Sequence, residues 1–273
     1  MAIITISRQV AALGDEIATA VAQRMNYAFI GRQAIEQKII DLGFPADKLK
    51  KYDERKPGFF ASLTKDRDEY LDYLQTAVLE AASQQNCILI GRGSFAILED
   101  LPNLLSLRFV AKDEIRRQRL MKEFSWEEKQ AIQRITESDT NRLGFHKSFF
   151  NLNNEDPSHY HLVMNTGLLD IEAATETIVH FCNQLITKEK EEAGKKKLEE
   201  LVKAQHLVNI LVFEHKINIS FLKAVVTENR VILQGVADSM AAVEKAMAIS
   251  SSIMPDYVVE SAVSVVQDFK SYP

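Results

Sequence analysis

The chain opens with strand, loop and helix in immediate succession, and no other feature restricts its fold as much. Residues 3–6, Ile-Ile-Thr-Ile, form a short β-branched run that reads as a buried strand. Residues 7–14 read as a loop. Ile17, Val21 and Met25 then recur every four residues, the spacing of an amphipathic helix. A strand fed through a loop into a helix is the opening unit of an α/β sheet, which takes its ligand at the carboxyl ends of the strands.

The same alternation continues. A charged region with Pro45, Pro57 and Gly58 comes first. Tyr70, Tyr73, Leu74, Ala77, Val78 and Ala81 fall on one face and predict a helix. Residues 87–90 and 104–110 are compact apolar runs that predict strands, the first followed by Gly91-Arg92-Gly93. Residues 112–124 predict an arginine-rich helix. Ser125 and Glu128 have capping-box spacing and predict the start of the next helix. Residues 161–165 predict a last strand, and Asp170 a cap for a helix with Ile171, Ala174, Ile178, Phe181, Cys182 and Leu185 on its apolar side. The fold class expected is α/β, a parallel sheet with helices on both faces.

At residues 188–197, Lys-Glu-Lys-Glu-Glu-Ala-Gly-Lys-Lys-Lys, the grammar changes. A charge run with one glycine is either a linker or an exposed helical connector. Behind it come helix periodicity over 198–215, strands at 221–226 and 231–236 joined by Thr227-Glu228-Asn229-Arg230, a helix capped at Asp238 or Ser239 and running to 249, and a strand at 258–266. The expected division is a domain at 1–187, a charged linker at 188–197 and a small C-terminal α+β module at 198–273 of order α-β-β-α-β.

Composition narrows the function classes. The chain is 46% hydrophobic and 26% charged with a formal net charge of −5, so no global field draws it to nucleic acid or to an anionic membrane. Its two cysteines, Cys87 and Cys182, sit in apolar runs and read as buried thiols of a reducing compartment, although a disulfide between them stays open. The first residues have no basic region and no long apolar run, and no stretch approaches the length that spans a bilayer. The expected location is the cytoplasm.

The first loop carries the chemistry. A phosphate loop aims backbone N–H groups at oxygen, so it uses glycines; a standard one adds a lysine for the β- and γ-phosphates and a Ser/Thr hydroxyl for Mg²⁺. Ser7-Arg8-Gln9-Val10-Ala11-Ala12-Leu13-Gly14-Asp15 has the right position, yet it has one glycine, no lysine and no hydroxyl after Gly14. Residues 3–9, then Gly14 and Glu16-Ile17-Ala18, then Ile88-Leu89-Ile90-Gly91-Arg92-Gly93, Asp139-Thr140-Asn141-Arg142 and residues 160–166 together resemble the cytidylate kinase-like family, with its P-loop nucleoside monophosphate kinase fold. The resemblance covers residues 1–187. It implies ATP and Mg²⁺ as cofactors, held near Ser7, Arg8, Gly14 and Asp15. The family's loop glycines fall at Ala11 and Leu13, where side chains are expected to crowd a phosphate and restrict positive φ. Asp15 either favours the first turn of the helix or faces the phosphates across a metal ion. Arg8 is either the surviving phosphate ligand of the loop or a structural ion pair.

On the acceptor side the resemblance places Gly91 and Arg92 against the phosphate of a CMP-like nucleotide. Arg32, after Phe29-Ile30-Gly31, is a second candidate there or a solvated loop arginine. Where cytidylate kinases proper carry an aspartate after the arginine, this chain has Gly93, which opens the identity of the acceptor. Arg116, Asp139 and Arg142 are the implied catalytic residues, part of an arginine lid over the transferring phosphoryl group that also draws on Arg117, Arg119, Arg134 and Lys147. The alternative is a salt-bridged pair of exposed helices. His159 and His161 lack a third ligand of metal-site spacing, so no metal ligands are assigned. Residues 198–271 resemble a BON domain, on Leu233-Gln234-Gly235-Val236 and the element order. That resemblance implies a protein or lipid ligand; a generic accessory domain that packs or forms homo-oligomers is the alternative. Two functions follow. One is ATP-dependent phosphoryl transfer to a CMP-like nucleotide. The other is a catalytically silent, nucleotide- or partner-binding regulator on the same fold.

Overall fold

The computed structural model describes residues 2–49, 52 and 65–266, so Pro57 and Gly58 lie outside the described residues. The buried opening run forms β1 (Ile3–Arg8), which leads through the loop into α1 (Gly14–Met25). β2 (Ala28–Ile30), α2 (Arg32–Asp41) and the single turn α3 (Ala46–Leu49) follow. Sequence periodicity did not mark β2 or α2. β2 has three residues, too few to show a period, and α2 buries only Ile35 and Ile39. Next come α4 (Lys65–Ala82), β3 (Cys87–Ile90), the short α5 (Ser94–Ile97), β4 (Leu104–Val110), α6 (Asp113–Phe124) and α7 (Glu128–Phe150). β5 (Leu162–Asn165) and α8 (Ile171–Leu185) close the first set, with the Asp170 carboxylate accepting from Ala173 N as the cap of α8.

The expected capping box at Ser125 is corrected. Ser125 takes a left-handed conformation, φ 54°, and ends α6, while the box that starts α7 is formed by Glu127 and Gln130. Phe124 and Trp126 stack at 4.7 Å across the connection. The chain therefore needs Ser125 to turn, and a turning residue cannot also cap.

The five strands form one parallel sheet in the order β2-β3-β1-β4-β5. β1 is central, with Ile6 beside Ile90 of β3 on one flank and Leu107 of β4 on the other. Because β3 and β4 leave β1 on opposite sides, the crevice outside its carboxyl end is the switch point where such sheets take ligands. Period-two alternation turns Ile4, Ile6, Leu105, Leu107 and Phe109 toward Ile17 and Val21 of α1 and Ile178 of α8, and the whole cluster is buried. Cys87 and Cys182 are both free thiols, pushed by burial to about 12 and about 11, so neither is a nucleophile at neutral pH.

The chain divides into two compact units, Met1–Lys195 and Lys196–Pro273. The charge run at 188–197 takes the helical alternative: it is the beginning of α9 (Lys188–Asn209), which widens into a π turn at Ile210–Glu214. The helix expected from residue 198 thus starts ten residues earlier, as alternating Lys and Glu permit. The second unit continues with β6 (Ile219–Thr227), β7 (Arg230–Ala237), α10 (Met240–Ile253) and β8 (Val258–Val265). β6 and β7 pair antiparallel, β7 and β8 parallel, and Leu207, Leu211, Val231, Leu233, Val243 and Ala246 form their core. Ser239 precedes α10 without a side-chain cap bond. Among the described residues no helix is long and apolar enough to cross a membrane.

Candidate nucleotide site

The loop between β1 and α1 keeps the backbone of a glycine-rich loop without the glycines. Ala11 has φ 58° and Leu13 φ 54°, both left-handed. The expectation that side chains at these positions would keep φ negative is corrected. Each such conformation costs a non-glycine residue about 1–2 kcal/mol, so the surroundings must enforce it.

Two arginines of α6 do so. Arg116 is fully buried; its Nε donates to Val10 O at 3.0 Å, and its two terminal nitrogens grip the Asp139 carboxylate at 2.8 Å each. Asp113 adds a third acceptor at 3.0 Å. Arg119 donates to Ala11 O at 2.9 Å and to Thr166 O at 2.6 Å. Burial pushes the Arg119 guanidinium down, opposed by the nearby Glu16. On the other flank Gln9 N donates to Phe109 O at 3.0 Å, and the Gln9 side-chain oxygen accepts from Ala111 N at 3.0 Å. The carbonyls of Val10 and Ala11 are thus held from outside the loop, while the Gln9 and Ala12 amides already donate, to Phe109 O and to Gln9 O.

Arg8 crosses the start of α1. A Cβ on Gly14 would lie 2.7 Å from Arg8 Cγ, so only glycine at 14 lets this side chain pass. Asp15 is exposed in the first turn of α1, where negative charge is favoured, and Leu13 rather than Asp15 takes the cap position. Ser7, the penultimate residue of β1, is buried, its hydroxyl accepting from Arg108 Nη1 at 3.0 Å.

On the expected acceptor side Gly91, Arg92 and Gly93 are left-handed in succession, with φ 79°, 57° and 67°. This turns Arg92 inward until it is fully buried. Its Nη2 meets the Glu36 carboxylate and its Nη1 donates to Tyr70 OH at 3.1 Å. Arg32 Nε donates to the same Glu36 oxygen at 2.6 Å. The two candidate arginines are thus joined by a carboxylate that sequence reasoning missed, although Arg32 and Glu36 have the i,i+4 spacing of a helical pair. Burial pushes the Glu36 carboxyl up, but Arg32 and Arg92 outweigh it and leave it below its ordinary value. A Cβ on Gly93 would lie 2.3 Å from the Phe150 ring, so an aspartate there would not fit this arrangement.

The expected lid residues separate. Asp139 joins Arg116, whereas Arg142 donates to Ser138 Oγ at 2.6 Å. Arg117 meets Glu128, and Arg134 and Lys147 are exposed. His161 Nδ1 accepts from Ser106 N at 3.0 Å, and burial lowers its pKa, with the charge of Lys190 adding to the effect. Among the described residues no group of three His, Cys, Asp or Glu is placed to hold a metal. Sequence reasoning also passed over a cavity of about 650 Å³ beside the loop, lined by Leu13, Arg119, Thr166, Gly167 and Asp170. Its walls come from three separate segments.

A model of the cytidylate kinase-like family matches residues 3–168. An uncharacterized protein from Eubacterium ventriosum ATCC 27560 superposes with a TM-score of 0.55 at 19% identity, over 67% of this chain and 98% of that one. This likeness shows the fold. Shikimate kinase from Bacteroides thetaiotaomicron superposes with a TM-score of 0.43 at 12% identity, over 67% of this chain and 98% of its own. A gluconokinase from Sinorhizobium meliloti 1021 gives 0.43 at 13% identity, over 67% and 95%. No match to a curated protein was found.

Proposed function

The chain belongs to the cytidylate kinase-like family, and from that premise we propose that it binds ATP at the loop 7–14 and transfers a phosphoryl group to a CMP-like nucleotide. The observation that carries this reading is the left-handed backbone at Ala11 and Leu13, held by Arg116 and Arg119. The strain is held by protein contacts, so the loop keeps a shape suited to an anion whether or not one is bound. The cavity lined by Leu13, Arg119 and Thr166 suits the base of the nucleotide, with the phosphates continuing over the loop.

Arg8 stands in for the lysine. It lies across Gly14 at the start of α1, where it supplies positive charge toward the loop. Asp15, the exposed carboxylate of that first turn, would hold Mg²⁺ jointly with the phosphates, since this ion is commonly bound by one or two carboxylates plus phosphate oxygens. When bound, Mg²⁺ neutralises charge on the transferring phosphoryl group. Arg116 and Asp139 act as positioning residues, which fix the loop through Val10. Arg142 is placed to contribute to a lid by leaving Ser138, and Arg32, Gly91 and Arg92 form the acceptor wall.

One observation favours the silent-regulator reading: Arg92 and Arg32 share Glu36, which reduces the charge they offer an acceptor. The C-terminal module is then the second contact, a BON-like unit for a protein or lipid, supported by its α-β-β-α-β order. Calorimetric titration with ATP–Mg²⁺, CMP and dCMP, followed by a product assay, separates the readings. Binding of both classes with turnover supports the kinase. ATP binding without turnover supports the regulator, and no ATP binding at millimolar ligand removes both nucleotide readings.

A further inference from the structure

Three arginines among the described residues are at least nine-tenths buried: Arg92 and Arg116 at 0% exposure and Arg108 at 4%. Arg92 has Glu36 and Arg116 has Asp139 and Asp113. No carboxylate among the described residues pairs with Arg108. Its contacts are the hydrogen bond from Nη1 to Ser7 Oγ at 3.0 Å and the ring of Tyr160, with the guanidinium carbon 5.7 Å from the centroid. A guanidinium cannot shed its charge. A desolvated cation–π contact contributes about 2 kcal/mol, less than the several kcal/mol that burying an unpaired charge costs. The imbalance calls for an anion.

The position fits one. Arg108 lies on β4 directly beside Ser7, one residue before β1 ends at the phosphate loop. Leu107 and Phe109 face the core under α1, so alternation turns Arg108, Ser7 and Thr5 to the opposite face of the sheet. There the Tyr160 hydroxyl donates to Asn154 O at 2.8 Å. Burial raises the Tyr160 phenol, and Ser7 and Arg108 beside it hold it back. Thr5 Oγ1, two residues before Ser7 on β1, and Asn154 Oδ1, of the residue whose carbonyl takes the Tyr160 hydroxyl, are buried without a hydrogen-bond partner. Among these described residues Arg108 supplies the positive charge and none is a carboxylate.

We propose that the Arg108 guanidinium, with the Ser7 hydroxyl, binds a phosphate monoester dianion at the carboxyl ends of β1 and β4. The N–H groups of its fork that Ser7 does not use match phosphate oxygens. That the phosphate belongs to a nucleotide rests on the kinase reading; the anion site does not. Two sources carry this chemistry, the phosphate of a nucleoside monophosphate and the terminal phosphate of ATP.

The test uses the full chain and inorganic phosphate at constant ionic strength, with Arg108→Met as the variant. In the wild type the midpoint of thermal unfolding rises by roughly 3 °C at ten times the phosphate Kd. In R108M the rise is lost, while the midpoint without phosphate equals or exceeds that of the wild type, because an apolar isostere removes an unpaired charge. Should R108M fail to fold, R108Q carries the same comparison. Titrations then assign the source. A tenfold or greater loss of CMP affinity in the variant with ATP–Mg²⁺ affinity kept identifies the acceptor phosphate, and the reverse pattern identifies the terminal phosphate of ATP. A phosphate response that persists without Arg108, or no response in the wild type, overturns the site. If ATP–Mg²⁺ does not bind but the phosphate response depends on Arg108, the anion site stands and the kinase reading falls. If the wild type turns over ATP and CMP but shows no phosphate response, and R108M turns them over equally, the reverse holds.

Discussion

Single residues hold the strain that marks the loop. Ala11 sits at φ 58° without the freedom of glycine. Ala11→Gly removes about 1–2 kcal/mol of strain and adds about 0.5–1 kcal/mol of unfolded-chain entropy. The expected outcome is a gain of up to about 1.5 kcal/mol in urea unfolding with nucleotide affinity unchanged; a loss of stability would show that the alanine methyl matters more than the backbone. Gly14→Ala acts in the other direction, since its methyl meets Arg8 Cγ at 2.7 Å and must displace it. ATP–Mg²⁺ affinity is expected to fall about tenfold, one charge-assisted contact of about 1.4 kcal/mol, and an unchanged Kd would remove Arg8 from the site. Glu36 gives a pH signature. Its folded carboxyl titrates below the ordinary 4.5, so the unfolded chain binds more protons in that window. The stability it contributes is complete above 4.5 and is lost as pH falls through the lower, folded value. The stability difference between wild type and Glu36→Gln, measured by urea unfolding, should therefore narrow from pH 6 to pH 3; a constant difference contradicts the bridge.

At the scale of elements, α6 is the brace of the site. Its Arg116 reaches the loop at Val10 and α7 at Asp139, and its Arg119 reaches the loop at Ala11 and the end of β5 at Thr166. Loop, helix pair and last strand are thereby joined by two side chains one helical turn apart. Asp139→Ala leaves a fully buried guanidinium with Asp113 as its remaining carboxylate, itself on an 80% exposed side chain. A loss of about 3 kcal/mol is expected in urea unfolding, with weaker ATP–Mg²⁺ binding as the loop relaxes. A change under about 1 kcal/mol would place the pair among ordinary surface bridges.

Over the whole molecule, each of the two units has its own core, one under the five-stranded sheet and one under the three-stranded sheet. Trp126 is the chain's one tryptophan and belongs to the first unit. Its fluorescence therefore reports the unit that carries the loop. Saturating ATP–Mg²⁺ at one hundred times Kd is expected to raise the stability read at Trp126 by about 2.7 kcal/mol; no shift would place the nucleotide elsewhere. The sheet and its connections were legible from residues alone, because β-branched runs such as Ile3-Ile4 and residues 87–90 are buried on both faces, and the helices at Ile17 and Asp170 declare a period or a cap. The order of Gly, Arg and Asp motifs along the chain also placed it in its family. Tertiary structure decided what those motifs touch. Local sequence argues against left-handed Ala11 and Leu13, and contacts from Arg116 and Arg119, more than a hundred residues away in the chain, override that preference. The partners of the buried arginines were decided in the same way. A guanidinium's counter-charge is set by which elements the sheet brings together, so Arg92 met Glu36, Arg116 met Asp139, and Arg108 met Ser7 and Tyr160, with no carboxylate among the described residues.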